Sequence, residues 1–388
     1  MLVIENARVV DSDGEREGPV AVENGEIESV GDASDDPETV IDGEGGVIAP
    51  GLVDSHVHVS MDGRPNTEGM VSDSTATLAY RAARNLKETV RAGVTTVRDL
   101  GSPGTLGPDT REAIAAGLID GPRVVPCGSP VVITGGHGHW MGREADGPAE
   151  VRKGAREQLK KGAEVVKTMA TGGVLTEGAD IGGFEMTPEE LDALVEAARA
   201  KGRPTAAHCH AVSGIKNATR AGIESVEHGT FMDREAAELM AEEGTYWVPT
   251  ASALRGITEN GTDAGIPEWA VSKAAEAEAA FEDAWTHALD AEVPIAMGTD
   301  AGTPFNFHRD AAHELEYMVE YGLSTERAFE AATANAADLL GIENVGKIES
   351  GYRADLVVLD DDPREDVSAY TTPRTVVAAG NLVRDSSE

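Results

Sequence analysis

Between residues 51 and 344 the chain repeats one pattern: a short apolar stretch of strand length, then a longer stretch with apolar residues at helical spacing. The strand-like stretches are GLVDSHVHV (51–59), TTVRDLG (95–101), RVVPCGSPV (123–131), EVVKTMA (164–170), PTAAHCH (204–210), SVEHGT (225–230), TYWVPTAS (245–252) and PIAMGTDAG (294–302). Among the helical stretches, TATLAYRAARNLKETVRAG ends on a glycine stop. TPEELDALVEAARAKG opens with Thr187 as N-cap, Pro188 at the first helical position and Glu190 at the capping-box position. Eight strands alternating with helices predict an α/β fold, a parallel (β/α)8 TIM barrel. A doubly wound open sheet would want a glycine-rich phosphate loop after an early strand, and none is evident.

The flanks have a different texture. LVIENARVV alternates, and PVAVENGEIESVG holds a hairpin around Glu23-Asn24-Gly25. Near the other end, RADLVVLD (353–360) reads as a strand and RTVVAAGNLVRD (374–385) as a hairpin around Gly380-Asn381. Neither flank is large enough to bury a core alone. The expectation is one small β-sandwich domain made from 1–50 plus 345–388, with the barrel, 51–344, inserted between its halves.

The polar residues of the central part fall at strand C-terminal ends, where barrel enzymes assemble their sites. These are His56, His58, Lys167, His208, His210, His228 and Asp300. Residues two apart in a strand share a face, so His56 and His58 look into the lumen together and can grip one ion. Neutral imidazole with carboxylate suits borderline divalent metals, zinc above all. Lys167 sits in an apolar strand aimed at cations. Burial and neighbouring positive charge favour its neutral amine, which can react with carbon dioxide to give an anionic carbamate able to bridge two metals. Asp54 shares the histidines' face but lies deeper, as a supporting polar partner.

Composition excludes several function classes. Asp and Glu number 69 against 32 Lys and Arg, a net charge of −37 spread along the whole chain. That argues against nucleic acid and anionic membrane surfaces as partners. With 9 Lys against 23 Arg, it reads as the solvated acidic shell of a cytoplasmic protein from a high-salt organism. Cys127 and Cys209 are too few for a disulfide framework and fit a reducing compartment. The start MLVIENARVV lacks the basic region of a signal peptide, and no apolar run reaches membrane-span length.

Taken together, HVH after GLVDS, Lys167, His208, His228 and GTDAG resemble the amidohydrolase superfamily, in its binuclear, carboxylated-lysine type. ATANAADLLGIENVGKIESGYRADLVVLDDDP (332–363) is similar to its usual C-terminal passage, so the resemblance covers essentially the whole chain. VVITGGHGHWMG, AAHCH, ESVEHGTFMD and GTDAGTPFNFHRDAAHEL are similar to the Xaa-Pro dipeptidase and imidazolonepropionase-like branch. The resemblance implies two divalent ions. One would be held by His56, His58, Asp300 and a carbamate on Lys167, the other by His208, His228 and the same carbamate. Asp300 would carry the proton from the attacking hydroxide to the departing amine. For substrate contacts it implies His139 first and His137 second; His210 and His308 line the pocket or its mouth. The implied reaction is hydrolysis of an amide-type C–N bond in a small molecule, a dipeptide or N-acyl amino acid. A cyclic amide hydrolase of the imidazolonepropionase type is the alternative; it uses one metal, for which a bridging lysine is superfluous. A non-catalytic barrel scaffold stays open as a different class. The glycine-rich 170–188 suggests a mobile lid by composition, and the family's habit implies a homo-oligomer.

Overall fold

The computed structural model describes residues 1–32 and 37–385. In its central part, Leu52–Val57 pairs in parallel with Val94–Asp99, which pairs with Arg123–Pro126. A second parallel run joins Val166–Met169, Thr205–Cys209, Ser225–His228 and Tyr246–Val248 in sequence order. Backbone hydrogen bonds span the two seams. The Glu164 N–H donates to the Pro126 carbonyl at 2.7 Å. On the other side, Trp247 bridges to Ile295, and Val57 bridges to Ala301.

Three of the expected strands depart clearly from their sequence bounds; the seventh keeps only Tyr246–Val248, and a helix already starts at Ala251. The third ends at Pro126, and Val131–Val132 starts a separate short strand. The eighth, 294–302, is no regular strand at all. It bonds Trp247 through the Pro294 carbonyl and the Ala296 N–H on one edge, and Ser55, His56 and His58 through the Met297 carbonyl, the Asp300 N–H and the Ala301 carbonyl on the other; Asp300 has a φ of 58°, in the left-handed region. The segment runs very close to the first strand. A Cβ on Gly298 would meet Val248 Cγ1 at 2.4 Å and His56 Cβ at 2.9 Å, so only glycine fits there.

Helices follow the strands as the periodicity predicts. Thr75–Arg91 buries Leu78, Ala82, Leu86 and Val90. Pro188–Arg199 carries both halves of the Thr187–Glu190 capping box. With few aromatic residues available, the main core rests on Ala, Val, Ile and Leu. One aromatic cluster interrupts it: Trp247 lies 4.6 Å from Trp285, and Phe281 and Tyr321 pack around them. Among the described residues no helix is long and apolar enough to cross a membrane. Cys127 and Cys209 are buried free thiols.

The chain ends share sheets. Val47–Pro50 pairs antiparallel with Leu356–Leu359 and parallel with Arg8–Asp11. That six-stranded sheet continues to Gly14–Glu17 on one side and to Thr375–Ala378 and Asn381–Asp385 on the other. A four-stranded sheet holds Glu26–Val30, Val20–Glu23, Leu2–Glu5 and Thr39–Asp42. Ile4, Val9, Val20, Ile27, Ile48, Leu356 and Val358 share one apolar cluster drawn from both sheets. LVIENARVV is thus two strands in different sheets, broken where Asn6 takes a φ of 55°. The hairpin at Asn24-Gly25 has the expected turn; the later one turns at Ala379-Gly380, one residue earlier than its glycine suggested.

Candidate active site

His56, His58, Lys167, His208, His210, His228 and Asp300 line a single cavity at the C-terminal ends of the parallel strands. The pairing register explains most of this. Lys167 stands beside Ala206, and His208 stands beside Glu227, so Lys167, His208 and Glu227 face the same way. Strict alternation would then turn His228 outward. Its φ of 67° breaks the alternation and returns the imidazole to the cavity, where its ring lies 4.4 Å from that of His208. Thr250, also left-handed at 56°, accepts or donates to His228 Nδ1 at 2.7 Å. Left-handed backbone at non-glycine residues costs about 1–3 kcal/mol each and concentrates at functional sites.

The hydrogen bonds of the first-strand histidines fix which ring nitrogen is bare. His56 Nδ1 lies 2.9 Å from Glu227 Oε2, an acceptor, so Nδ1 carries the hydrogen. His58 Nδ1 lies 3.0 Å from the Gly101 carbonyl, with the same result. Both Nε2 lone pairs therefore face Asp300 Oδ1, at 3.4 and 3.1 Å. Three ligand atoms within 4.8 Å of one another repel unless a cation sits among them, which is the donor set of a divalent metal site. His208 Nε2 lies 3.3 Å from the Gly172 carbonyl, an acceptor, which leaves Nδ1 as the bare nitrogen.

Lys167 is 2% exposed, and its Nζ has no hydrogen-bond partner. Burial pushes its amine toward the neutral form. An orphaned amine beside a ligand cluster is the place where an added anionic group would be satisfied. Burial likewise holds His137 and His210 neutral, at about 3 and about 4.

Sequence reasoning missed the pair beneath the histidines. Glu227 and Arg98 are fully buried and joined at 2.9 Å. Arg98 also donates to Ser225 Oγ and to the Ser55 carbonyl. Glu227 thus bonds His56 with one oxygen and Arg98 with the other. The apolar setting of Arg98 on TTVRDLG was the available signal. Asp54 now has a role: Oδ1 accepts from the His56 and Thr299 N–H groups at 3.1 Å, and Oδ2 from the Thr299 hydroxyl at 2.6 Å. It straps the first strand to the segment carrying Asp300.

The two loop histidines exchange order. His137 is buried on the cavity lining, whereas His139 is exposed and its Nδ1 bonds back to the Gly136 carbonyl at 3.0 Å. Period two does not extend into a glycine turn. His308 is buried behind the lining, with Nε2 3.2 Å from the Met61 carbonyl.

The glycine-rich loop after Val166–Met169 is tied down. Lys273, on the helix Glu268–Asp290, donates to the carbonyls of Gly173, Thr176 and Ala179 at 3.2, 2.8 and 2.6 Å. Thr176 Oγ1 lies 2.9 Å from His137 Nδ1, and the Glu185 carboxylate accepts the His137 N–H. A Cβ on Gly173 would lie 2.4 Å from the His137 ring, so the two loops interlock. Charged hydrogen bonds contribute roughly 1.5–3 kcal/mol each. Lys273→Met is therefore expected to speed proteolytic cleavage within 172–185 by about tenfold or more. Limited thermolysin digestion measures this; an unchanged rate means the loop holds itself.

The sequence model of the amidohydrolase family matches residues 47–383. The chain belongs to the amidohydrolase family. Ochratoxinase of Aspergillus niger is 34% identical to this amidohydrolase over 364 residues, 85% of this chain and 73% of that protein. A solved Xaa-Pro dipeptidase with methionine in its active site superposes with a TM-score of 0.91 at 34% identity, over 98% and 99% of the two chains. A prolidase in complex with N-methylphosphonate-L-proline gives 0.93 at 29%, over 99% of each. These likenesses make the fold one of the TIM-barrel type. The family is typically metal-dependent, which agrees with the donor set formed by His56, His58 and Asp300.

Proposed function

We propose that the protein hydrolyses a C–N bond of the amide or peptide type, in a dipeptide or N-acyl amino acid, using two divalent metal ions. The observation that carries this is the convergence of His56 Nε2, His58 Nε2 and Asp300 Oδ1 beside the partnerless amine of Lys167. Zinc suits the imidazole-rich set. His56, His58 and Asp300 would hold one ion and His208 and His228 the other, with a carbamate on Lys167 shared between them. When bound, the metals supply Lewis-acid activation of water and of the substrate carbonyl.

The chain's own groups do the rest. The Asp300 carboxylate would accept the proton of the attacking water and deliver it to the departing nitrogen. Glu227 keeps the His56 hydrogen on Nδ1, so that Nε2 stays a ligand. With the Thr176 hydroxyl donating to its Nδ1, His137 offers the Nε2 hydrogen to a substrate oxygen. The Lys167 amine favours this reading over a one-metal cyclic amide hydrolase. Prolidase and ochratoxinase among the relatives support the bond type.

The same proposal takes the eight central segments as a closed barrel. It takes 1–50 plus 345–388 as a β-sandwich domain, supported by the sheets that the two ends share. The acidic composition supports a cytoplasmic protein of a high-salt organism, without nucleic-acid or membrane partners. The family's habit supports a homo-oligomer.

Metal analysis of protein purified in high salt is expected to find about two divalent ions per chain. Chelation should abolish turnover of a dipeptide and N-acyl amino acid library, and added zinc should restore it. Full turnover of metal-free protein would overturn the proposal.

A further inference from the structure

Acidic residues are scarce where the substrate would sit. They make up 69 of the chain's 388 residues, so about four would be expected among the twenty-one that line the cavity. Asp300 is the single one, and it belongs to the ligand cluster. Lys167 is the single lysine of the lining, which has no arginine. The lining histidines His137 and His210 each turn Nδ1 to a threonine hydroxyl, Thr176 at 2.9 Å and Thr230 at 2.7 Å. The protein's own side chains thus place no spare charge of either sign in the cavity.

What fills the wall instead is thioether and aliphatic. Met61, Met141 and Met169, three of the chain's ten methionines, lie on the lining. The same lining holds Leu254 and Ile257, on the helix Ala251–Thr258, and Leu175, in the loop held by Lys273. Met61 comes from after the first strand, Met141 from the His137 loop and Met169 from the end of Val166–Met169. Methionine has three soft rotatable bonds and moulds itself to different shapes, whereas aliphatic side chains on a helix give a fixed face.

We infer that this cavity selects substrates with an uncharged, apolar group beside the scissile bond and is permissive about that group's shape. The inference rests on the proposed hydrolase reading and deepens it. A charged side chain there would be desolvated with no partner, a large cost. One extra or missing methylene is worth only about 1–3 kcal/mol, and flexible methionines lower that further.

The test uses the full-length, metal-loaded protein in high salt. Two substrate series, X-Pro dipeptides and N-acetyl-X amino acids, carry Met, Leu, Phe, Asp or Lys as X. The apolar members should agree within about tenfold in kcat/KM and exceed the Asp and Lys members by about a hundredfold or more. Leu175→Arg should improve the Asp member relative to the Met member by about tenfold, because a guanidinium then meets the carboxylate. Comparable turnover of charged and apolar members overturns the inference and leaves the hydrolase reading standing. Hydrolysis of neither series at two bound metals overturns that reading. The cavity is then judged by thermal unfolding with free amino acids: methionine and leucine should protect and lysine and aspartate should not. Equal protection by all four overturns it.

Discussion

Lys167→Ala is expected to lower kcat/KM by about a thousandfold or more and to reduce bound metal, because the group proposed to be shared by both ions is gone. The Lys167 amine is buried, pushed toward its neutral form, and without a hydrogen-bond partner. A structural lysine would have found a carboxylate or left its tip in water. Truncation to alanine also opens the space that the aliphatic stem filled. Acetate or propionate can enter that space and present the lost carboxylate oxygens, so either acid should restore part of the activity. Lys167→Met fills the space and supplies no oxygens, so it should be equally inactive and refuse rescue. Kinetics with and without added acid, together with metal content, read all three outcomes. Full activity in Lys167→Ala would sink the bridging role.

Arg98→Leu should cost about 3–5 kcal/mol of stability, since it leaves the buried Glu227 carboxylate without its cation. Burial by itself would raise the Glu227 carboxyl, but Arg98 and His56 outweigh burial and hold it at about 2, below the ordinary 4.5. A carboxyl held below its unfolded value stabilises the fold above about pH 4.5, and that contribution fades as pH falls toward 2. The gap between wild type and Arg98→Leu should therefore be widest near neutral pH and narrow below about pH 5. Unfolding scans at matched salt measure it. Equal stability at pH 7 would mean that Ser225 and His56 satisfy Glu227 without the arginine. Glu227→Gln should spare more stability than Arg98→Leu while weakening metal binding by about 10–100-fold, because the amide no longer fixes the His56 tautomer.

Much of the site was legible because period two is simple. His56 and His58 share a face wherever a strand exists, and Lys167 and His208 follow the same rule on their own strands. His228 was assigned correctly to the cavity by its strand-end position, but the reason was hidden. Glu227 takes the inward place, and only a left-handed turn brings its neighbour in as well. Asp300 has the same backbone habit, and nothing in GTDAG marks the left-handed break there. Arg98 and Glu227 are 129 residues apart, a contact that no local pattern encodes. In GGHGH, glycine freedom removes any rule for which histidine faces inward, and the structure chose His137. The lid reading of 170–188 rested on glycine content, whereas the clamp on it comes from a lysine on a distant helix.

The Asp54 strap fixes an order of events during synthesis on the ribosome. His56 and His58 are made first, and Asp300, the third member of their cluster, lies on the segment that Asp54 grips through Thr299, 245 residues later. Until that segment emerges the nascent chain holds two imidazoles and no complete donor set. The sheet beside it waits longer still, because Val47–Pro50 has no antiparallel partner until Leu356–Leu359 is made. Chains generally fold from the N-terminus as they are made. Here neither the His56–His58–Asp300 cluster nor that sheet is complete until segments 245 or more residues further along have been made, so a product cut short before them leaves both unfinished.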